Sequence, residues 1–270
     1  MRVYISVDIE GISTVVSGDS TSPSGRDYER ARRQMTAEAN AAVLGALAAG
    51  AETIVLNDSH GSMTNLIPAE LHPAAELIQG SPKPLSMMQG VEAGFDAVMF
   101  VGYHARMHQF GILSHTISGG TVSNVLLNGQ PMGETAINAA LAGYYGIPVV
   151  MVTGDSQVAK EAKAMLGQVE TAVVKTPVTR YSARSLHPEQ ACKLIQATAE
   201  RALNQLEQYP AYLPTGPYTF TLQFINAGQA DAAAIMPGTV RVDGSSVSFT
   251  DADYVMAFRG LRAMISLARP

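Results

Sequence analysis

Cysteine is nearly absent: Cys192 is the single one in 270 residues. That excludes an internal disulfide and any cysteine-rich zinc or iron–sulfur site within one chain, and it suits a reducing compartment. Cys192 itself reads as a small helix residue in or near the core. Long apolar runs are lacking too. The uncharged, mostly apolar stretch NAAVLGALAAGA, from Asn40 to Ala51, falls well short of the roughly 20 residues that a membrane span needs. Arg2 precedes the first apolar stretch, but Asp8 and Glu10 interrupt it, so no signal peptide is readable. A cytoplasmic protein with no membrane association is therefore expected. Blocks of like charge are missing as well. The formal charge of -5 is spread along the chain, and Arg26, Arg30, Arg32 and Arg33 alternate with acids in one helical stretch, so nucleic acid is not an expected partner. Four motifs are also absent: G-x-G-x-x-G after the first strand, G-x-x-x-x-G-K-[ST], G-x-S-x-G and H-E-x-x-H. Their absence weakens dinucleotide-binding, P-loop, serine-hydrolase and zincin readings.

What is present is a globular composition, 47% hydrophobic and 15% charged, with enough chain for one large or two smaller domains. The first two thirds alternate strand-like and helix-like segments. VYISVDI is followed by a helical pattern from about Asp27 to Ala49, which Gly50 closes, and then come TIVLND, DAVMFVGY and IPVVMVTG. Apolar runs separated by helices predict an α/β fold, a mostly parallel Rossmann-like sheet with helices on both faces. Asn128-Gly129 predicts a hairpin before a helix from about Gly133 to Tyr145. Beyond residue 180 the rhythm changes: a helix from about Pro188 to Gln208, the strand YTFTLQFI, a short helix, the strands TVRVDG and SVSFTD, and a final helix. That order predicts a smaller two-layer α+β unit. The expected organisation is a catalytic α/β domain over residues 1–180 and the smaller α+β domain over residues 181–270.

In parallel α/β sheets ligands collect at the carboxyl ends of the strands, so the residues just after each apolar run matter most. Here they are Asp8 and Glu10 after the first strand, Asn57-Asp58-Ser59-His60 after the second, and His104 after the strand VMFVGY; Glu134 opens the helix after the hairpin. If Asp8 and Glu10 continue the strand, alternation points both the same way, roughly 6–7 Å apart, and a cation between them would offset their repulsion. Asp8, Glu10, His60, His104 and Glu134 together form a five-ligand set suited to Zn2+, Mn2+, Co2+ or Fe2+, with the short Asp8 as the candidate bridge between two ions. Such a pair of ions activates water and polarises a carbonyl, which is hydrolase chemistry. Taken singly, each residue has a plainer reading. Asp8 and Glu10 can be loop acids paired with Arg26 or Arg30, His60 a turn histidine, His104 a strand-end ring stacked on Tyr103, and Glu134 an acid favoured by the helix dipole. His115, in GILSHTISGG, can move protons or hold an oxyanion beside a metal site; it can equally be a strand histidine bonded to Ser114 or Thr116. His108 is expected at a loop rim, and His72 and His187, each before a proline, are expected in structural roles. The 13 methionines are scattered and read as core or pocket filler.

The motifs VDIEG, YERARRQMTAEAN, NDSHGSM, GYHAR, SHT, Gly133-Glu134 and MPGT, in this order, resemble the DppA-type D-aminopeptidase family. The resemblance is dense to about residue 155 and thinner beyond, where GDSQVAKEA and INAGQADAAAIMPGT still match. It implies a dizinc aminopeptidase, two Zn2+ per subunit with Mn2+ or Co2+ as alternatives. The implied activity removes N-terminal D-amino acids, chiefly D-alanine, from short peptides. The implied assembly is a homo-oligomer, a decamer of two stacked five-membered rings. The family's zinc ligands match Asp8, Glu10, His60, His104 and Glu134, with Asp8 bridging, and its proposed catalytic histidine matches His115. One ion then sits with Asp8, Glu10 and His60, the other with Asp8, His104 and Glu134. Two other readings remain: a metal hydrolase of another amide or of L-peptides on the same scaffold, and a non-catalytic transport-accessory module around a structural metal.

Overall fold

In the computed structural model, residues 1–269 are described. The chain runs β1 (Arg2–Val7), α1 (Gly18–Thr21), α2 (Tyr28–Ala48), β2 (Thr53–Asp58), β3 (Ala75–Ile78), β4 (Ala97–Tyr103), β5 (Val122–Leu127), β6 (Gln130–Pro131), α3 (Glu134–Tyr144), β7 (Val149–Asp155), α4 (Ser156–Leu166), β8 (Glu170–Thr179), β9 (Ser182–Ser185), α5 (Pro188–Leu203), β10 (Tyr218–Phe224), α6 (Ala227–Ala233), β11 (Thr239–Arg241), β12 (Ser246–Asp251) and α7 (Tyr254–Ala268). The apolar runs read from the sequence become strands of one seven-stranded sheet, ordered β3-β2-β1-β4-β7-β8-β9. Every pair in it is parallel except the hairpin β8–β9.

Side-chain alternation builds both faces of that sheet. Val3, Ile5 and Val7 of β1 share one core with Ala31, Met35 and Ala39 of α2 and with Ala191, Ile195 and Ala199 of α5, whereas Tyr4 points to the opposite core. That second core contains Ile137 and Leu141 of α3, Val158 and Leu166 of α4, and the apolar face of a five-stranded antiparallel sheet, ordered β11-β12-β10-β5-β6. The smaller sheet is covered by α6 and α7, the two-layer α+β arrangement expected for it. The two sheets draw on the chain in interleaved order. Val122–Pro131 supplies two strands of the smaller sheet, β9 extends the larger one, and α5 packs on α2; residues 180 and 181 form the turn of the β8–β9 hairpin. Asn128 and Gly129, with φ of 51° and 80°, form the hairpin turn as expected.

The sheet order reverses direction between β1 and β4, so a crevice opens at their carboxyl ends. A bulge sits at that point. In β4, Ala97, Met99 and Val101 face α2, and Val98 and Phe100 face the other core, but Tyr103 joins Phe100 instead of Val101 and stacks on it with ring centroids 4.4 Å apart. The register against β7 shifts between Phe100 and Tyr103, and Gly102 between them has φ of 71°. The bulge therefore re-aims everything after it, His104 included. A Cβ on Gly102 would overlap the carbonyl oxygen of Asp8. Gly102→Ala, forced into a left-handed backbone and against that carbonyl, is expected to lower stability by about 2 kcal/mol or more; equilibrium urea denaturation measures it, and an unchanged midpoint would show that the bulge is not required.

Candidate metal centre

Asp8, His60 and His104 emerge from the carboxyl ends of the adjacent parallel strands β1, β2 and β4, and Glu134 is the first residue of α3. The strand alternation expected to align Asp8 with Glu10 does not operate, because β1 ends at Val7. A turn does the work instead. Asp8 N donates to Val101 O (2.8 Å), Gly11 N to Gly102 O (2.7 Å) and Ile9 N to Asp8 Oδ1 (2.8 Å). Ile9 is thereby buried in the core, and both carboxylates come within reach of the same imidazole, His60 Nδ1 lying 3.3 Å from Asp8 Oδ1 and 3.0 Å from Glu10 Oε2. On the other side of Asp8, His104 Nε2 lies 3.5 Å from Asp8 Oδ2 and 3.3 Å from Glu134 Oε1. His115, in a loop rather than a strand, stacks on His104 at 4.1 Å with its Nε2 3.8 Å from Glu134 Oε1. All six expected side chains thus converge. His108 is exposed in the loop after β4, His72 Nδ1 accepts from Ala74 N, and His187 caps α5 by accepting from Glu189 N.

The hydrogen bonds of the three rings decide what the cluster is suited to hold. A backbone carbonyl can only accept, so His60 Nε2 donates to Thr21 O (2.9 Å), His104 Nδ1 to Ala105 O (3.0 Å) and His115 Nδ1 to Leu113 O (2.9 Å). In each neutral ring the remaining nitrogen is then a lone pair turned toward carboxylate oxygens. Glu10 Oε2 and His104 Nε2 are buried with no hydrogen-bond partner among the described residues, a cost of about 1–3 kcal/mol each unless something fills the space. Lone pairs from hard oxygen and imidazole donors, facing one another and oriented from behind by the main chain, are the donor set of a divalent transition metal. The donor atoms of Asp8, Glu10 and His104 lie within 4.8 Å of one another, and so do those of His104, His115 and Glu134.

Without a cation, protons take up the positive charge. Burial opposes ionisation of His104, yet Glu134 and Asp8 push its pKa up to about 10. His60 is raised in the same way, burial being outweighed by Glu10 and Asp8. Burial, with the charge of Glu10, raises Asp8 above the usual carboxylate range. In Glu10 and Glu134 burial is outweighed by the facing histidines, and both fall below that range. His115 is lowered by burial and by the charge of His104.

The loops that carry these groups are held by residues outside the expected ligand set. Lys175, buried on β8, donates all three ammonium hydrogens to the loop after Asp8, to Glu10 O (2.6 Å), Ile12 O (2.8 Å) and Val15 O (2.6 Å). Asp58 accepts from Asn65 N (2.6 Å), Leu66 N (2.7 Å) and Asn65 Nδ2 (2.7 Å), closing the loop that carries His60. Asp155 caps α4 and also accepts from Ile112 N (2.6 Å), while Arg180 donates to Ser114 O; together they brace the His115 loop. Ile117 N donates to Glu134 Oε1 (2.6 Å) from a backbone with φ of 62°, a conformation that a β-branched residue adopts only when its surroundings impose it. Met63 and Ser86 also have positive φ, and with Ile117 they line the cavity over the cluster, about 110 Å3 in volume. Met87, Arg262 and Arg269 complete its wall.

A family model described as D-aminopeptidase matches residues 1–263. A D-aminopeptidase of Bacillus subtilis (strain 168) is 38% identical over 269 residues, 99% of this chain and 98% of that protein. Among solved structures, the Zn-dependent D-aminopeptidase DppA from Bacillus subtilis, a self-compartmentalizing protease, matches with a TM-score of 0.96 at 38% identity, over 99% of this chain and 98% of that one.

The Lys175 clamp makes its own test. Lys175→Met leaves the Glu10 and Val15 carbonyls without a donor and Ile12 O with Val15 N alone, and is expected to cost about 3 kcal/mol or more in stability and about 10- to 100-fold in metal affinity. Chemical denaturation and chelator competition under native conditions measure the two; unaltered metal affinity would remove Lys175 from the support of the Glu10 loop.

Proposed function

The chain belongs to the D-aminopeptidase family of peptidases, and from that premise we propose that it is a dinuclear-metal aminopeptidase releasing N-terminal D-amino acids, chiefly D-alanine, from short peptides. The observation that carries the reading is the set of three imidazoles, each tied by one nitrogen to the main chain and turning the other toward buried carboxylates. Asp8, Glu10 and His60 would hold one ion and Asp8, His104 and Glu134 the second, with Asp8 between them. Zinc is the ion of the similar solved structure and suits these oxygen and nitrogen donors. Two such ions supply Lewis acidity toward a carbonyl oxygen and toward water.

The protein's own contribution is orientation and proton transfer. His115 is the one imidazole of the three not needed to complete either ligand group. Its Nδ1–H is committed to Leu113 O, so Nε2 is free to take a proton from the attacking water and to give it to the departing amine. Burial lowers its pKa, which favours the unprotonated ring. The stacked ring of His104 and the Leu113 carbonyl, which accepts from Nδ1–H, fix the plane in which the proton moves. A second reading rests on the 4.8 Å grouping of His104, His115 and Glu134: His115 as a ligand of the second ion.

We also propose that the subunits form a homo-oligomer, a decamer in the ring arrangement that the resemblance implies. The similar solved structure is a self-compartmentalizing protease, and Ile235, Val240 and Val242 leave apolar surface exposed on the smaller sheet and its connections. No helix among the described residues is long and apolar enough to cross a membrane; with one cysteine, a reducing cytoplasm is the compartment proposed.

Protein purified without chelator is expected to carry two metal ions per chain by elemental analysis and to cleave D-Ala-D-Ala in preference to L-Ala-L-Ala. Absence of stoichiometric metal would defeat the metal reading, and preference for the L-peptide would defeat the D-specific one. Asp8→Ala is expected to abolish both metal binding and cleavage. His115→Ala is expected to keep both ions while kcat falls by about 10²–10⁴; loss of one ion instead would make His115 a ligand.

A further inference from the structure

The last helix brings positive charge to a cavity otherwise walled by acids, histidines and small or apolar groups. α7 belongs to the layer of the smaller sheet, yet Arg262 lines the same cavity as Asp8, Glu10, His115 and Glu134, with Arg269 beside it. Arg262 is half-buried. Arg32, Arg201 and Arg241 each have a carboxylate within hydrogen-bond distance; among the described residues the Arg262 guanidinium has neither a hydrogen bond nor an ion pair. Burial, together with the charge of Arg269, pulls its pKa down to about 10 against the attraction of Glu134. A fork of five donors with no protein partner, facing the cavity, matches a planar anion, and a carboxylate accepts two of those donors at once.

The carboxylates already in the cavity are not available for that purpose. Glu134 accepts from Ile117 N and faces His104 and His115, while Asp8 and Glu10 face His60. We propose that Arg262, flanked by Arg269, recognises the C-terminal carboxylate of the peptide being cleaved, and so selects very short peptides with a free carboxyl end. The inference rests on the aminopeptidase reading above. Its physical basis is chain length: in a dipeptide the carboxylate follows the scissile carbonyl by one residue, a reach of about 3.3–3.8 Å, and each further residue moves it out by about the same amount. A peptide whose scissile carbonyl lies over the carboxylate–imidazole cluster therefore keeps its charged end within a cavity of this size only if little chain follows. The guanidinium then measures what lies beyond the bond, complementing the metal ligands, which handle what lies before it. In the order of the chain, an acid cluster built by the first half is completed by a cation from the last helix.

The test pairs D-Ala-D-Ala with its C-terminal amide, and wild type with Arg262→Gln and Arg262→Lys, each variant first checked for wild-type metal content and thermal midpoint. Wild type is expected to favour the free acid by about 10- to 100-fold in kcat/KM, the range that charge-assisted hydrogen bonds supply. In Arg262→Gln that preference should collapse, chiefly through a raised KM for the acid, and Arg262→Lys should restore part of it. Equal treatment of acid and amide by wild type, or an equal loss on both substrates in Arg262→Gln, would overturn the proposal. Calorimetric titration of the same two ligands reads the carboxylate preference as a ratio of Kd values even where no turnover occurs. Cleavage of neither peptide would thus count against the aminopeptidase reading alone, while a Kd ratio near one would count against Arg262.

Discussion

Three carboxylates, Asp8, Glu10 and Glu134, are buried within a few ångströms of one another's histidine partners, and they cannot all ionise there unless positive charge is placed between them. Much of the surrounding structure answers to this repulsion. The parallel sheet brings Asp8, His60 and His104 together because β1, β2 and β4 are neighbours that point the same way. Strands alone do not fix the side chains, since none of these residues lies within its strand. Their positions depend on backbone tied down after the strands end: the Lys175 ammonium under the Glu10 loop, the Asp58 carboxylate inside the His60 loop, the Asp155 cap behind the His115 loop, and the bulge at Gly102. Lys175, Asp58 and Asp155 are buried polar groups satisfied chiefly by main-chain partners, so the cluster is held by the same accounting that governs any buried hydrogen bond.

That division explains what the sequence revealed and what it hid. Parallel strands buried on both faces are runs of apolar residues, and the polar residues that interrupt them stand out; Asp8, His60 and His104 were legible for that reason. Glu134 was legible from a turn signal, Asn128-Gly129, followed by a helix start. The relation between Asp8 and Glu10 was read through strand alternation and is instead the product of a turn clasped to β4, which no periodicity announces. His115 was legible as a candidate but not as a loop residue stacked on His104. Lys175 resembles any lysine in a half-exposed strand, and its burial depends on where the loop after β1 passes. Arg262 was invisible because α7 has the pattern of an ordinary amphipathic helix, and the wall it completes is built by residues distant in the chain. The interleaving of the two sheets was hidden for a similar reason: a hairpin signal says that two strands pair with each other and is silent about which sheet they join.

The methionines give the cavity one further property. Met63 and Met87 are both nearly buried, and both line the space above the carboxylates. As thioethers they fill an irregular wall well, but oxidation turns each into a polar sulfoxide. An iron ion held by the same oxygen and nitrogen donors would carry one-electron chemistry into the cavity that these side chains line. Zinc has no accessible second oxidation state. The wall thus bears on the ion through durability: thioethers lining the cavity are better preserved beside a redox-silent ion than beside a redox-active one.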